Sequence, residues 1–262
     1  MHLFYTHGTG GSLQAQPEIE EVFEPLGYTI TRIEVPYHGS IIELAGKLAT
    51  ATFGDMCLLI DETANKIIEQ AKSFAPEDYV VVGDSLGGLI SVVAAQRDPR
   101  ISHCILLACS ADICNALLHI DEVFPGLGSL SGVLNPAAAG GLKLQAHKAI
   151  AGESDFQAEF DRVNTFRPER LARIRRLLIL GDKGDPVMRE EACRHFAKGV
   201  KDSTVIMAYN EGRHHTIGKD ALQKYAVPFL QGKPLTITSR LRKIFASIRR
   251  RFGRTASRQS SE

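Results

Sequence analysis

Six short apolar runs punctuate the chain at 3–6, 28–35, 79–82, 101–108, 177–180 and 204–208, and each closes on a Gly, Asp, His or Ser-bearing loop. They are read as apolar on both faces, the pattern of buried parallel strands. Amphipathic or apolar segments at 17–26, 41–50, 61–75, 86–97, 189–199 and 219–231 predict helices between them. Strand–helix alternation predicts an α/β fold: a mostly parallel central sheet of about six strands with helices on both faces. Chemistry in such a sheet sits at the C-terminal ends of the strands. Those ends are the loops that come after the apolar runs.

Residues 111–174 break the rhythm. They carry Gly126, Gly128, Gly132, Gly140 and Gly141 and apolar clusters such as Ala116-Leu117-Leu118, but no convincing strand. The stretch is too rich in Leu, Ile and Phe for a linker. It is expected to be a mostly helical cap insertion over the C-terminal edge of the sheet. The expected organisation is therefore a core of 1–110 and 175–235, a cap at 111–174 and a tail at 236–262.

Composition narrows the classes. In 262 residues, 44% are hydrophobic and 23% charged, which excludes a disordered or fibrous chain. No apolar run reaches the roughly 18 residues that a membrane span needs. The start, Met1-His2-Leu3-Phe4-Tyr5, has no basic region and is not expected to be a secretory signal. Five sparse cysteines (57, 104, 109, 114 and 193) are expected to be free thiols, which fits a cytoplasmic location.

Charge is unevenly placed. Residues 239–262 hold eight Arg or Lys and one acid, so this tail carries +7; the chain total of +1 leaves −6 on the rest. An acidic body argues against nucleic acid as a partner. Within the tail, Leu241, Ile244, Phe245, Ile248 and Phe252 make one apolar helical stripe flanked by Arg240, Arg242, Lys243 and Arg249–Arg251. That is the composition of a helix lying peripherally on an anionic membrane. Packing of the stripe on the acidic body or on another subunit is the alternative.

Gly83-Asp84-Ser85-Leu86-Gly87 is a G-x-S-x-G motif between an apolar run and a plausible helix. The motif demands that context: a sharp strand-to-helix turn holds the Ser hydroxyl above the sheet, and flanking glycines avoid Cβ clashes. A tight turn with Ser85 as a mere helix cap is the bland reading. With strand, helix and the additional Gly88, residues 1–231 resemble the α/β-hydrolase superfamily of serine esterases, lipases and thioesterases.

The resemblance implies a Ser, acid, His order along the chain. Ser85 would be the nucleophile. Oxyanion donors would be the N–H of Leu86 and, from the His7-Gly8-Thr9-Gly10-Gly11-Ser12 loop, that of Thr9, with Gly10 as alternate. This loop lacks both the third Gly of a dinucleotide fingerprint and a subsequent Gly-Lys-Ser/Thr, so a phosphate loop is disfavoured. The acid comes after the fifth run, where Gly181-Asp182-Lys183-Gly184-Asp185-Pro186-Val187 offers two carboxylates. Asp185 fits the Asp-Pro-Val turn. Three residues instead of the family's usual two separate it from Gly181, which leaves Asp182 as alternate. The base comes after the last run, in Glu211-Gly212-Arg213-His214-His215-Thr216. The family places Gly directly before His, whereas Arg213 intervenes here; His214 is the choice and His215 the alternate. His38, in the Pro36-x-His38-Gly39 stretch, reads as structural.

No HExxH and no paired CxxC is present, so no metal site is expected, and the chemistry needs no cofactor. Cys104 and Cys109 read as core. Arg162, Arg167, Arg170, Arg173, Arg175 and Arg176 read as a solvated helix face, with an acidic substrate group or acyl carrier protein as the alternative. The expected function is a serine hydrolase of carboxylic esters acting through an acyl-enzyme. An acyl thioesterase, or a non-catalytic binding protein on the same fold, is the alternative.

Overall fold

The computed structural model describes residues 1–8, 13, 14, 16–36, 50–74, 78–118, 136–212, 214 and 217–235, with 136–139 described by backbone alone. Among them lie six strands: β1 (His2–Thr6), β2 (Thr29–Ile33), β3 (Tyr79–Asp84), β4 (Ile101–Leu107), β5 (Leu177–Asp182) and β6 (Ser203–Tyr209). They form one sheet in the order β2-β1-β3-β4-β5-β6, and every pairing is parallel. The four central strands are buried almost throughout, as their unbroken apolar runs require. The outer strands differ from that expectation. Only Ile33 of β2 and Ile206 of β6 are buried, because an edge strand has a neighbour on one side only.

Helices cover both faces. On one face, α2 (Phe53–Ala71), α3 (Leu86–Arg97) and α8 (Glu190–Lys198) bury Phe53, Ile60, Ile67, Ile90, Val93 and Phe196 against Phe4, Val81, Leu106 and Ile179. On the other, α1 (Glu18–Phe23) and the C-terminal segments α9 (Lys219–Ala221) and α10 (Val227–Leu230) bury Ile19, Phe23, Ala221 and Phe229. These meet Leu3, Tyr5, Val80, Val82, Ile105 and Leu178. A π-helical stretch, Leu222–Ala226, joins α9 to α10 within the single helix that the sequence predicts. Helix α3 is apolar on all sides because it is buried from Gly87 to Gln96.

Helix α2 starts eight residues before the predicted start at 61. Thr52 and Asp55 form a reciprocal capping box: the Asp55 N–H donates to Thr52 Oγ1, and the Thr52 N–H donates to Asp55 Oδ2. Gly54, in its first turn, is a packing site, since a Cβ there would lie 2.5 Å from the Phe156 ring.

The described residues of 111–174 form four helices: α4 (Ile113–Leu118), α5 (Pro136–Ala151), α6 (Gln157–Val163) and α7 (Pro168–Leu171). Helix α6 packs on α2, where Phe160 meets Phe53 with ring centroids 5.8 Å apart. The Thr165 carbonyl accepts from Gln96 Nε2 at 2.9 Å, so this stretch is fastened to α3 as well.

The arginines around its end are not an open basic patch. Arg162 faces Asp61 at 3.8 Å, Arg167 pairs with Asp161 at 2.6 Å, Arg175 with Asp78 at 2.8 Å and Arg176 with Asp202 at 2.7 Å. Arg170 donates to the carbonyls of Asp161, Arg162 and Asn164. These five act in local packing; Arg173 is exposed.

Arg176 also donates from Nη1 to His103 Nε2 at 2.7 Å, and His103 Nδ1 then donates to Ser102 Oγ at 2.9 Å. Burial, with Arg176 and Arg175 alongside, pushes the imidazole down to about 4. The unfolded ring titrates near 6.5, so the folded protein selects the neutral form. Stability from this site is present above about pH 6.5 and is lost as pH falls toward 4. Thermal midpoints measured from pH 7 to pH 4 should fall across that window, and His103→Gln should flatten the decline.

Candidate active site

The C-terminal ends of β1 and β3 meet where the strand order reverses, since β1 leads to β2 on one side and β3 lies on the other. This switch point is where an open parallel sheet leaves a crevice. Ser85 sits there, between the end of β3 and the first turn of α3. Its backbone has φ 48° and ψ −113°, a conformation outside the allowed regions for a residue with a Cβ and worth of order 1–3 kcal/mol of strain. The Ser85 N–H donates to the Leu107 carbonyl at 2.8 Å, and the Ser85 carbonyl accepts from Gly88 at 3.0 Å.

Glycine is required around it for lack of space. A Cβ on Gly83 would stand 2.1 Å from the Gly87 carbonyl oxygen, and one on Gly87 would stand 2.1 Å from the Thr6 carbonyl oxygen. The turn therefore closes backbone to backbone, on itself and on the end of β1. Gly8 lies against it too, its Cβ position 3.0 Å from the Ser85 Cβ.

Two other loops converge on this point. Asp185 comes after β5 and its side chain is completely buried. Its Oδ1 accepts from the N–H groups of Val187 and Met188 at 2.8 and 2.9 Å, a capped turn that leaves Oδ2 directed at one partner. That partner is His214, which comes after β6. Its Nδ1 donates to Asp185 Oδ2 at 2.9 Å, because a carboxylate only accepts. Nε2 is then left to accept from the Ser85 hydroxyl at 3.1 Å. The His214 side chain keeps 18% exposure, so the ring is reachable while its acid partner is sealed. The line Asp185–His214–Ser85 is able to remove a proton from the hydroxyl and hold the resulting positive charge beside a buried carboxylate.

The alternate acid, Asp182, is elsewhere. It is buried at the end of β5, and its carboxylate accepts from the backbone N–H groups of Glu211 and Gly212. The alternate base His215 and the oxyanion candidates Thr9 and Gly10 lie outside the described residues, as do His38 and the tail stripe. Leu86 is the first residue of α3, so its N–H has no intrahelical acceptor and faces the positive end of the helix dipole.

His7 opens the loop after β1. Its Nε2 accepts from the Val35 N–H at 3.3 Å and its Nδ1 donates to the Gly8 carbonyl at 3.0 Å. Burial holds it below the usual histidine range, so it ties β1 to the segment after β2 as a neutral ring. All five cysteines are free and buried. Burial raises their thiols, to about 12 at Cys114 and Cys193, which keeps them protonated. Cys109 lies just beyond β4, not on it, and its Sγ accepts from the Ala111 N–H at 3.2 Å. Among the described residues no group of His, Cys, Asp and Glu has the arrangement to hold a metal ion, and no helix is long and apolar enough to cross a membrane.

Sequence reasoning missed Gln16. It is buried, has φ 60°, and lies between Tyr5 and the Ile217 carbonyl. A loop glutamine carries no motif that announces this.

No protein-family profile and no curated protein sequence matches the chain. Solved structures do. The chain is similar to acetyl xylan esterase from Paenibacillus sp. R4 (14% identity, 89% of this chain and 74% of that one, TM-score 0.62). It is similar to Est1E from Butyrivibrio proteoclasticus with ferulic acid bound (15% identity, 88% and 89%, TM-score 0.55). It is also similar to alpha/beta hydrolase domain-containing protein 10 from mouse (15% identity, 88% and 86%, TM-score 0.54). At these identities the likeness is one of fold. With six parallel strands in this order and a sharp β3–α3 turn at the switch point, the chain has the fold of the α/β-hydrolase superfamily.

Proposed function

We propose that the protein is a serine hydrolase that cleaves a carboxylic ester through an acyl-enzyme. The observation that carries this reading is the single hydrogen-bonded line from buried Asp185 through His214 to Ser85. In the proposed reaction the Ser85 oxygen attacks the ester carbonyl as His214 Nε2 takes the hydroxyl proton. The carbonyl oxygen becomes an oxyanion beside the Leu86 N–H and a second amide from the loop after β1, for which Thr9 or Gly10 is proposed. Collapse expels the alcohol, which takes its proton from His214. Water then enters, gives its proton to the same nitrogen, and releases the acid from Ser85. Asp185 holds the ring tautomer and the imidazolium charge throughout.

Support for ester substrates comes from the fold neighbours, an acetyl xylan esterase and an Est1E that was solved with ferulic acid. An acyl thioester would pass through the same acyl-Ser85 and is the nearest competing substrate. The insertion is proposed to cap the site and supply the acyl pocket. The cationic stripe at 241–252 is proposed to bring the enzyme to anionic membrane surfaces.

A panel of soluble esters and thioesters tests the reading. The protein should turn over esters, and Ser85→Ala or His214→Ala should each lower kcat by about 10⁴-fold or more. His215→Ala should be mild. Asp185→Asn should leave the fold intact and lose most activity, whereas thioester-only turnover would move the substrate class. Wild-type protein inert on the whole panel would favour the binding-protein alternative.

Truncation at Thr238 tests the tail. Binding to anionic vesicles should be strong at low salt, weaken steeply as salt rises, and disappear on truncation. Turnover of soluble esters should survive, because Ser85, Asp185 and His214 all precede the cut.

A further inference from the structure

We infer that Asp182 and Gln16 are positioning residues that fix His214 by gripping its loop from both flanks; the inference rests on reading His214 as the catalytic base. On the near side, Asp182 Oδ1 accepts from the N–H of Glu211 at 2.9 Å and of Gly212 at 3.0 Å, and Oδ2 lies 3.1 Å from the Glu211 nitrogen. On the far side, Gln16 Nε2 donates to the Ile217 carbonyl at 2.9 Å. The span that carries His214 is thus anchored within two residues before it and three after it. Both anchors are interior groups, with 2% of Asp182 and 6% of Gln16 exposed.

Each anchor is itself held. The Gln16 Oε1 accepts from the Tyr5 hydroxyl at 2.8 Å, and Tyr5 is a core residue of β1. The Gln16 carbonyl accepts from Arg32 Nη2 at 3.0 Å, and the Arg32 guanidinium lies 4.9 Å over the Tyr5 ring. The left-handed φ of 60° at Gln16 is the strain expected where surrounding contacts dictate the backbone. Gln16 also closes the loop that starts at His7, so one amide connects that loop to the histidine loop across 201 positions of sequence.

Asp182 is aimed by the sheet. Pairing of β5 with β6 steps from Gly181↔Met207 to Asp182↔Tyr209, so Ala208 is an extra residue on β6. Such a bulge bends a strand end and re-aims the residues beyond it. Two left-handed glycines face each other beside it, Gly184 at φ 85° and Gly212 at φ 69°, with the Gly184 Cβ position 3.4 Å from the Gly212 Cα. Asp182 is therefore not a displaced triad acid. Its carboxylate works on the backbone of the loop, where a misplacement of about 1 Å is enough to cost roughly 100-fold in rate.

The test uses the full chain with two readouts: kcat and KM on its best ester, and the downfield proton resonance of His214 Nδ1–H, assigned by its loss in His214→Ala. Asp182→Ala and Gln16→Met should each lower kcat by about 100-fold with KM within about twofold, and broaden or remove the resonance. Asp182→Asn keeps an acceptor at Oδ1 and should recover most of the loss. Asp98→Asn, at the opposite end of the sheet, should lower the thermal midpoint while kcat per folded molecule stays unchanged. If Asp182→Ala does not fold, Asp182→Ser, whose hydroxyl is too short to reach both amides, takes its place. Unchanged kcat and an unchanged resonance in Gln16→Met and in the folded Ala or Ser variant of Asp182 overturn the inference. A wild-type protein that shows the resonance without ester turnover defeats the hydrolase reading, and the resonance in the variants then decides the clamp. Neither resonance nor turnover in the wild type overturns both.

Discussion

Everything at this site depends on a backbone contact that excludes side chains. The turn after β3 folds so sharply that a Cβ on Gly83 would meet the Gly87 carbonyl, and a Cβ on Gly87 would meet the end of β1, both at 2.1 Å. Neither obstacle is a flexible side chain that could swing aside. The contact places the first turn of α3 directly over the end of β1 and forces Ser85 into its φ of 48°. Strain of that kind persists only where the surroundings over-determine it. Here the surroundings are a helix buried on all sides and the fully buried residues of the flanking strands. The apolar core therefore does more than stabilise the fold: it supplies the force that keeps a serine hydroxyl raised at the switch point.

The same edge of the sheet concentrates the other departures from ordinary backbone. Gln16, Ser85, Ala108 and Ala111 are the described non-glycine residues at positive φ, and each lies beyond the C-terminal end of a strand. The polar groups nearby are correspondingly well partnered. Asp185 is capped by two amides before it reaches His214, Asp182 takes two amides of the next loop, and His7 spans β1 and the segment after β2. Buried carboxylates in this setting are tolerable because charge-assisted hydrogen bonds from backbone N–H groups replace lost water. Fixed partners of this kind suit a site that works by holding donors and acceptors in place.

Much of this architecture is legible in the sequence. The sheet can be read because unbroken runs such as Val80-Val81-Val82 and Leu177-Leu178-Ile179-Leu180 admit little other than a strand covered on both faces. The turn at Ser85 can be read because its glycine requirement is steric and leaves a fixed spacing. Asp185 and His214 stand out by loop position, and the structure brings those two together with Ser85. The features that escape have physical causes. Helix α2 begins at Phe53, eight residues before the predicted start, and the ring of Phe156 fills the space beside Gly54 in its first turn. The arginines 162–176 look like a surface patch in one dimension, while their partners, Asp61, Asp78 and Asp202, are distant in sequence. Gln16 is invisible because its partners, Tyr5 and Ile217, are assembled only by the fold.

A strained turn that delivers an activated serine to His214 leaves Ser85 poised for covalent attack on an electrophile. Covalent capture measures this directly: incubate the full chain with a fluorophosphonate, digest it, and locate the adduct by mass spectrometry. One phosphonylated residue is expected, Ser85, with the labelling rate collapsing in His214→Ala although the serine and its turn remain. Absence of an adduct, an adduct on another serine, or labelling of Ser85 at an undiminished rate without His214 would contradict it.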